Sequence, residues 1–444
     1  MNDDEDFAFR YMARFQCIGP ACEQHCCGGW RVDVDAKHHE LLRMAAGRMG
    51  SDRERIRGAF FPRPPDPGEK KKVKGQQPQL LKLDKHGNCV LLEPDRRCHI
   101  HATLGANLLP DVCAIYPRKI VKLGERLELS GAVSCPEVAR QLLLHDDAVD
   151  QVPLERETMI PRRILHSRVE TRDVRAFWRL MPTLRAFALR RLSDTTRPFA
   201  QRLFVLTLFS HRTQAILSRE GPSGDYETVH DEVRRLDDPA VLDEIGRRFD
   251  AIQTPALPAL LIARELVRRD VAGHRQPQFL HLVGAVFDTY ANLDLTEFRR
   301  YTLVADQAMS AAIQAAYEQR KAQAMAAAGP RIDRYLRNFV FHSWVHHLQN
   351  SAPDLMVFTL RMLLHLAAIR FLFFSHPRLY AWFADPPVDP PAGAFETICD
   401  EAIVEVVRKL GRYIEHSALV TSLEAMLGDR QMRSLGGAVH LINF

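Results

Sequence analysis

The fold of this chain is organised around one cysteine-rich stretch, Cys17-Ile18-Gly19-Pro20-Ala21-Cys22-Glu23-Gln24-His25-Cys26-Cys27-Gly28-Gly29-Trp30. It places four thiols within eleven positions, and four more follow at Cys89, Cys98, Cys113 and Cys135. The ninth cysteine, Cys399, stands alone in the C-terminal half. Eight of nine cysteines therefore lie in the first third of the chain, and this asymmetry indicates a chemical role for that region.

Composition excludes several classes of protein. The chain has 444 residues, of which 46% are hydrophobic and 26% charged, as in ordinary globular proteins. Its length allows two or three domains and a large apolar core. The net charge of +5 arises from 60 basic and 55 acidic residues, a bias too small to indicate a nucleic-acid partner.

Because no export signal is recognised, we expect a cytoplasmic protein. The acidic start of the chain has no apolar segment of the kind found in secretory signals. The most lipid-like run, Leu355–Phe374, is interrupted by Arg361, His365 and Arg370, which favours a core helix over membrane insertion. In a reducing cytosol, clustered cysteines favour metal binding over disulfides.

The first 140 residues predict a small α+β domain. Alternation of apolar and polar residues predicts a short strand at 30–35, and the next stretch, 36–58, has helical spacing. A proline- and lysine-rich segment, about 61–79, predicts a loop. Strands follow at 80–83 and, as a hairpin turning at Gly124-Glu125, over 119–130.

Beyond residue 140 the pattern predicts helices and no strands. Apolar residues recur at three- and four-residue spacing in Val174–Leu192, Phe199–Leu217, Leu257–Arg269, Phe279–Leu293, Glu297–Ala328, Arg334–Leu348, Leu355–Phe374 and Cys399–Leu427. The predicted fold class is mainly α, with a cysteine-rich α+β metal-binding domain over 1–140 and an all-α helical domain over 141–444.

The eight N-terminal cysteines are predicted to be metal ligands: Cys17, Cys22, Cys26, Cys27, Cys89, Cys98, Cys113 and Cys135. They are flanked by glycines, prolines and charged residues instead of a core pattern, whereas Cys399 lies in an apolar helical run and is predicted to be a core residue. Eight sulfurs fit two four-thiolate sites, or one [4Fe-4S] iron–sulfur cluster with a structural zinc. Three histidines beside cysteines, His25, His99 and His101, are alternative ligands.

Several segments resemble the N-terminal signature of the flagellin lysine-N-methylase family over about residues 10–140. They are Phe15-Gln16-Cys17-Ile18, Cys26-Cys27-Gly28-Gly29-Trp30-Arg31-Val32-Asp33, Cys89-Val90-Leu91-Leu92-Glu93-Pro94-Asp95-Arg96-Arg97-Cys98-His99-Ile100-His101, Leu109-Pro110-Asp111-Val112-Cys113-Ala114-Ile115-Tyr116-Pro117-Arg118 and Ser134-Cys135-Pro136-Glu137. The same region also resembles, more loosely, cysteine-rich domains that chelate zinc or iron.

The resemblance implies methyl transfer from S-adenosylmethionine to ε-amines of lysines on flagellin, in the cytoplasm. A neutral amine must attack a sulfonium methyl, so the site has to deprotonate a group with a free pKa of about 10.4. Tyr116 and Arg118 are the candidates for orienting the carboxylate of this cofactor, and no catalytic base is identified. The chain lacks a glycine-rich cofactor motif, and Gly29 stands where the third cysteine of a radical S-adenosylmethionine motif would be.

Two other functions are compatible with these residues. One is a metal- or electron-carrying protein whose helices bind a partner without catalysis. The other is a scaffold in which zinc only stabilises a loop-rich domain. Iron content, zinc content and methyl transfer to a protein substrate distinguish the three.

Overall fold

The structure is a computed structural model. It describes residues 5–29, 32–47, 50, 52–64, 78–162, 164–165, 167–169, 176–221, 224, 226–253, 259–268, 277–290, 307–349, 354–415 and 431–444. The predicted helical residues 297–306 and 416–427 lie outside these ranges, as do Trp30, Arg31 and residues 65–77 of the predicted loop.

Helices make up most of the described chain. In the first 160 residues they are short: α1 Arg10–Arg14, α2 Ala36–Ala46, α3 Asp52–Gly58, α4 His99–Leu104, α5 Asp111–Ile115, α6 Pro136–Leu143 and α7 Arg156–Met159. The later helices are α8 Ala176–Ser193, α9 Phe199–Glu220, α10 Glu227–Asp237, α11 Pro239–Asp250, α12 Ala259–Arg268, α13 Pro277–Phe287, α14 Gln307–Gln349, α15 Leu355–Phe374, α16 Pro377–Ala384, α17 Ala394–Glu415 and α18 Leu435–Asn443. A mainly α fold with a small sheet region near the N-terminus is thus confirmed.

In the described part of the chain, eight strands form two sheets. They are β1 Phe7–Phe9, β2 Asp33–Val34, β3 Phe60–Pro62, β4 Gln79–Leu81, β5 Arg118–Leu123, β6 Arg126–Gly131, β7 Gln151–Pro153 and β8 Ser167–Val169. The larger sheet has the order β7-β1-β6-β5-β8, and the smaller one is antiparallel with the order β2-β4-β3. The predicted hairpin is confirmed: β5 pairs with β6 antiparallel, and Gly124 takes the positive φ of +61° that its turn requires.

The prediction that strands end before residue 140 is wrong. Strands β7 and β8 lie beyond it and occupy the two edges of the larger sheet, where β7 pairs with β1 and β8 with β5. Each has three residues, too few to show a period-2 pattern, and each is held by backbone hydrogen bonds to a neighbouring strand. The predicted loop over 61–79 is also bounded by strands, since β3 and β4 include its first and last residues.

Two helix predictions had the wrong boundaries. The segment 36–58 forms two helices, α2 and α3, separated by Gly50 at φ +53°. The predicted break between residues 328 and 334 is absent, because α14 continues through Pro330. Buried residues at four-residue spacing on both sides of this proline, Ala324, Ala328, Ile332 and Leu336, keep one face of α14 in the core. Their packing compensates for the backbone hydrogen bond that proline removes.

Apolar side chains form two separate clusters. The smaller is built from residues between Val32 and Leu109, with Cys27, Cys98 and Cys113 packed against it. The larger combines the helices with residues 7–15 and 115–149, so β1, α1, β5, β6 and α6 share the helical core. The predicted domain boundary at residue 140 stays a prediction. The smaller cluster takes its core from residues 32–109, and the larger one takes in residues 7–15 and the chain from residue 115 onward.

Helix α15 lies in the centre of this larger core. Among the described residues it is the one helix long and apolar enough to cross a membrane, and 89% of its most apolar window is buried in the protein. It packs against α9 and α14, and Arg370 in its interior donates to the Ile442 carbonyl of α18 at 3.1 Å. These contacts confirm the predicted core helix.

A carboxylate between α16 and α17 should make stability sensitive to acid. The His376 imidazole (Nε2–Oε2, 3.5 Å) and the Lys409 ammonium (Nζ–Oε1, 2.5 Å) hold the pKa of Glu405 well below its usual range. A lowered folded-state pKa stabilises the fold above the unfolded pKa, and this contribution is lost as pH falls through the folded pKa. We expect the urea midpoint of Glu405→Gln to fall less than that of the wild type between about pH 5 and pH 3. The control is Glu396→Gln, at an exposed position of α17; equal pH slopes for wild type and Glu405→Gln would contradict the assignment.

Candidate metal centre

Five of the eight predicted ligands come together beside the smaller apolar cluster. The Cys26 and Cys27 thiols are hydrogen bonded to each other, and Cys27 is also hydrogen bonded to Cys98. Cys89 and Cys113 interact electrostatically with Cys26 and Cys98. We call these five residues the thiol cluster.

Short backbone bridges bring these thiols together from distant parts of the sequence. The Cys89 N–H donates to the Cys27 carbonyl at 2.6 Å, and Gly28 forms an antiparallel bridge with Asn88. Another bridge joins Leu92 to Cys98. A turn over residues 84–88, closed by a backbone hydrogen bond from the Asp84 N–H to the Asn88 carbonyl, returns the chain against the Cys26-Cys27 pair.

Electrostatics favour thiolates at two positions of the thiol cluster. A hydrogen bond from Cys27 lowers the pKa of Cys26 to about 7. For Cys98, the same neighbour and the backbone N–H groups of His101 and Ile100, at the start of α4, lower the pKa to about 6. Burial raises the pKa of Cys89 to about 11 and that of Cys113 well above its usual value. Metal binding would deprotonate these buried thiols.

The donor set fits a soft metal, although its spacing is not that of a preformed zinc site. Four thiolates at about 2.3 Å from one zinc would lie within about 4 Å of each other. Among the described residues, no three cysteine sulfurs lie within 4.8 Å of one another. The five thiols therefore provide the right chemistry for zinc or an iron–sulfur cluster, in an arrangement wider than a single zinc ion requires.

The other three predicted ligands lie around Arg118. The charge of this guanidinium interacts with Cys17 and Cys135, and Cys22 in turn interacts with Cys17 and Cys135. Cys17 is exposed, whereas burial raises the pKa of Cys135 to about 12. Cys135 precedes α6 just as Cys98 precedes α4, so each thiol faces the amides of a helix N-terminus. Electrostatic interactions also link Cys26 to Cys22 and to Cys135, so the three sulfurs around Arg118 adjoin the thiol cluster at Cys26. Cys399 is fully buried in α17, as predicted for a core residue.

Tyr116 and Arg118 contact protein groups near this second set. The Tyr116 hydroxyl lies 3.2 Å from Ser134 Oγ. Arg118 Nε donates to the Met159 carbonyl at 2.7 Å, and its guanidinium lies 5.3 Å from the centre of the Phe15 ring. Their role toward a cofactor stays a prediction. A cleft of about 440 Å³ is lined by Ile160, the residue after Met159, and by other residues that include Ile120, Leu127 and Ile164.

Helix α17 is hydrogen bonded to the loop of residues 17–29, which we call the cysteine loop. This contact was not predicted from the sequence. Arg408 donates to Gln24 Oε1 at 2.6 Å. Arg412 donates to the carbonyls of His25 and Gly28, on either side of the Cys26-Cys27 pair. These arginines are almost 400 residues away in sequence, and an Arg-x-x-x-Arg spacing on a helix is too common to be a signal.

Two further arginines complete the attachment of the loop. Arg140 of α6 pairs with Glu23, and Arg96 Nη1 donates to the Cys22 carbonyl at 3.1 Å. Gly411 lets α17 pack closely against Val133, because a Cβ at residue 411 would lie 2.8 Å from Val133 Cγ2. The thiol-bearing loop is therefore fixed to the helical core at several points.

A small polar pocket lies against this loop. Its volume is about 220 Å³, and its lining includes His25, Gly28, Arg96, Gln278 and Arg412. The pocket lies between the cysteine loop, the turn at 86–88, the start of α13 and the end of α17.

Comparisons with known proteins agree on one family. The family model of the FliB lysine N-methylase C-terminal domain matches residues 185–441, more than half of the chain. The chain is 29% identical over 139 residues to a lysine-N-methylase of Salmonella typhimurium, a match that covers 31% of this chain and 32% of that protein. It is 28% identical over 139 residues to the flagellar biosynthetic protein FliU of Salmonella muenchen, covering 31% of this chain and 77% of that protein.

The matches to the Salmonella proteins are shorter than the match to the family model. A lysine-N-methylase of Salmonella choleraesuis is 28% identical over 139 residues, and the match spans about a third of its length, as with the Salmonella typhimurium protein. No solved structure matches. The family model covers α9 to α17, including the arginines that hold the cysteine loop. On this match the chain belongs to the FliB lysine N-methylase family.

Proposed function

We propose that this protein is a protein-lysine N-methyltransferase that uses S-adenosylmethionine as its methyl donor and flagellin as its substrate. The observation that carries the proposal is the family match over residues 185–441. The names of the relatives support it, since two are called lysine-N-methylase and one a flagellar biosynthetic protein. The same proposal places the protein in the cytoplasm, where flagellin is made and free thiols are stable.

The proposed reaction is a single displacement. The lysine nitrogen forms a bond to the methyl carbon while the bond from that carbon to sulfur breaks. The products are N-methyllysine, S-adenosylhomocysteine and one proton. Because the nucleophile is the neutral amine, the protein must lower the pKa of the bound lysine, which burial achieves. Holding nitrogen, carbon and sulfur in line contributes much of the rate.

We propose further that the thiol cluster holds zinc or a [4Fe-4S] cluster. Its thiols, the lowered pKa values of Cys26 and Cys98, and the helix N-terminus at Cys98 support this assignment. Bound metal would join three chain segments by coordinate bonds and so stabilise the smaller apolar cluster.

A methylation assay tests the proposed activity. Protein purified without oxygen is incubated with flagellin and methyl-labelled S-adenosylmethionine, and flagellin peptides are analysed by mass spectrometry. We expect a mass increase of one to three methyl groups, confined to lysines. A flagellin whose lysines have been blocked by acetylation is the control substrate. Absence of transfer by metal-loaded protein would overturn the proposal, and label on other residues would overturn the lysine assignment.

A further inference from the structure

We infer that the polar pocket beside the cysteine loop binds the amino-acid end of the methyl donor, with Arg96 and Arg412 contacting its carboxylate. The inference rests on the proposed function for the identity of the donor. The pocket lies against the backbone of the loop that carries Cys26 and Cys27, which places its ligand next to the thiol cluster.

Arg412 is a buried cation that, among the described residues, has no carboxylate partner, and its charge also acts on the Cys26 thiol. Its side chain is 5% exposed, and it donates hydrogen bonds to the His25 and Gly28 carbonyls. Among the described residues, no carboxylate lies within salt-bridge distance of it. A buried guanidinium without a carboxylate partner favours an anionic ligand where it faces the cavity.

The other charged groups of the pocket also favour an anion. Arg96 lines it, and one N–H donor of this guanidinium contacts the Cys22 carbonyl. Glu23 is the acidic residue of the lining, and its charge is balanced by Arg140 and by Arg408 at 3.8 Å. The N-terminus of α13, at Pro277 and Gln278, adds a positive helix end.

One buried polar atom of the pocket lining is available to hydrogen bond to a ligand. His25 Nδ1 is buried and makes no hydrogen bond among the described residues. At Gly28, a Cβ would lie 2.8 Å from Asn88 Oδ1 and 3.1 Å from His25 Cε1, so the missing side chain keeps this space open. A carboxylate hydrogen bonded to Arg96 and Arg412, with a polar amine nearby, would satisfy these groups.

The volume of the pocket determines which part of the methyl donor can enter it. Pockets that enclose a whole drug-sized ligand measure about 300–1,000 Å³. At about 220 Å³ this pocket takes the carboxylate and amine of the donor and leaves its adenosyl group outside. A lysine ammonium would be repelled by Arg96 and Arg412, so the substrate must approach the methyl group from elsewhere.

Binding measurements with a matched pair of ligands test the inference. We would titrate the full chain, purified without oxygen and with its metal, with S-adenosylhomocysteine and with methylthioadenosine, which lacks the amino-acid end. For Arg96→Gln we expect at least about tenfold weaker binding of S-adenosylhomocysteine, since charge-assisted hydrogen bonds are lost. Binding of methylthioadenosine should stay unchanged.

The adjacent Arg97→Gln is the control variant. Arg97 is exposed and pairs with Asp95 outside the pocket, so both ligands should bind it as they bind the wild type. Gly28→Ala is a second variant, expected to obstruct the pocket and to weaken S-adenosylhomocysteine selectively. Equal binding of S-adenosylhomocysteine by wild type and Arg96→Gln overturns this inference alone. Failure of the wild type to bind either ligand overturns the proposed donor, and this inference with it.

Discussion

Replacing Cys98 by serine is expected to remove the metal from the N-terminal region and to abolish methyl transfer. Cys98 connects the thiol cluster through its hydrogen bond with Cys27, and this bond lowers the pKa of Cys98, so its thiol loses a proton readily to a metal. Loss of outer contacts to a metal ligand typically costs 10–100-fold in metal affinity, so losing a ligand itself should cost at least about 100-fold. Metal analysis and the absorption spectrum of Cys98→Ser, beside its methylation rate, measure this.

The control for that experiment is the ninth cysteine. Cys399 is buried in α17 within the helical core, so Cys399→Ala should keep both metal and activity. Circular dichroism should show that Cys98→Ser retains the helices, because the smaller apolar cluster is separate from the helical core. A Cys98→Ser protein that lost its metal and still methylated flagellin would show that the metal has no part in catalysis. One that kept its full metal content would remove Cys98 from the ligand set.

Replacing Arg185 by methionine should cause a large loss of stability in the helical core. Arg185 of α8 forms two hydrogen bonds with Glu128 of β6, at 2.6 and 2.8 Å, and the two side chains are 4% and 0% exposed. Its removal leaves a buried carboxylate without its main partner, which typically costs about 3–5 kcal/mol. Arg126 also contacts Glu128, at 2.7 Å, so we expect about 3 kcal/mol in urea unfolding.

An exposed pair on the same helix provides the comparison. Arg190 lies 2.8 Å from Asp237, and both side chains are substantially exposed. Arg190→Met should therefore change the free energy of unfolding by less than about 1 kcal/mol. Adding Glu128→Gln to Arg185→Met should restore part of the loss, because no charge then remains buried. A cost below about 1 kcal/mol for Arg185→Met would show that Arg126 alone compensates Glu128.

The cysteine loop illustrates how far the candidate site could be predicted from sequence. Residue type and local density singled out the thiols, since cysteines beside glycine, proline and charged residues do not follow a core pattern. The arrangement of the eight, with five in the thiol cluster and three around Arg118 that adjoin it at Cys26, was not visible from the sequence. Cys89 reaches Cys27 through a turn, whereas Cys135 lies at the start of a helix that packs on α17. Which sulfurs meet depends on these non-local contacts.

The residues of the polar pocket show what could not be predicted from the sequence. Arg96 and Gly28 lie inside segments that the sequence analysis singled out, but Arg412 lies in a helix with an ordinary pattern. Its position at the pocket follows from the packing of α17 on α6, with Gly411 against Val133. A buried arginine cannot be told from a surface arginine by its neighbours in sequence.

By itself, the sequence determined the fold class, the β5–β6 hairpin, core helix α15 and the buried state of Cys399. These features follow from local periodicity, turn chemistry and residue type, which act over a few residues. Only the tertiary structure decided that α14 passes through Pro330, that two three-residue strands complete the larger sheet, and that α17 holds the cysteine loop. In each case contacts between distant segments outweigh the local preference, because burial and hydrogen bonding across the fold contribute more than the propensity of a few residues.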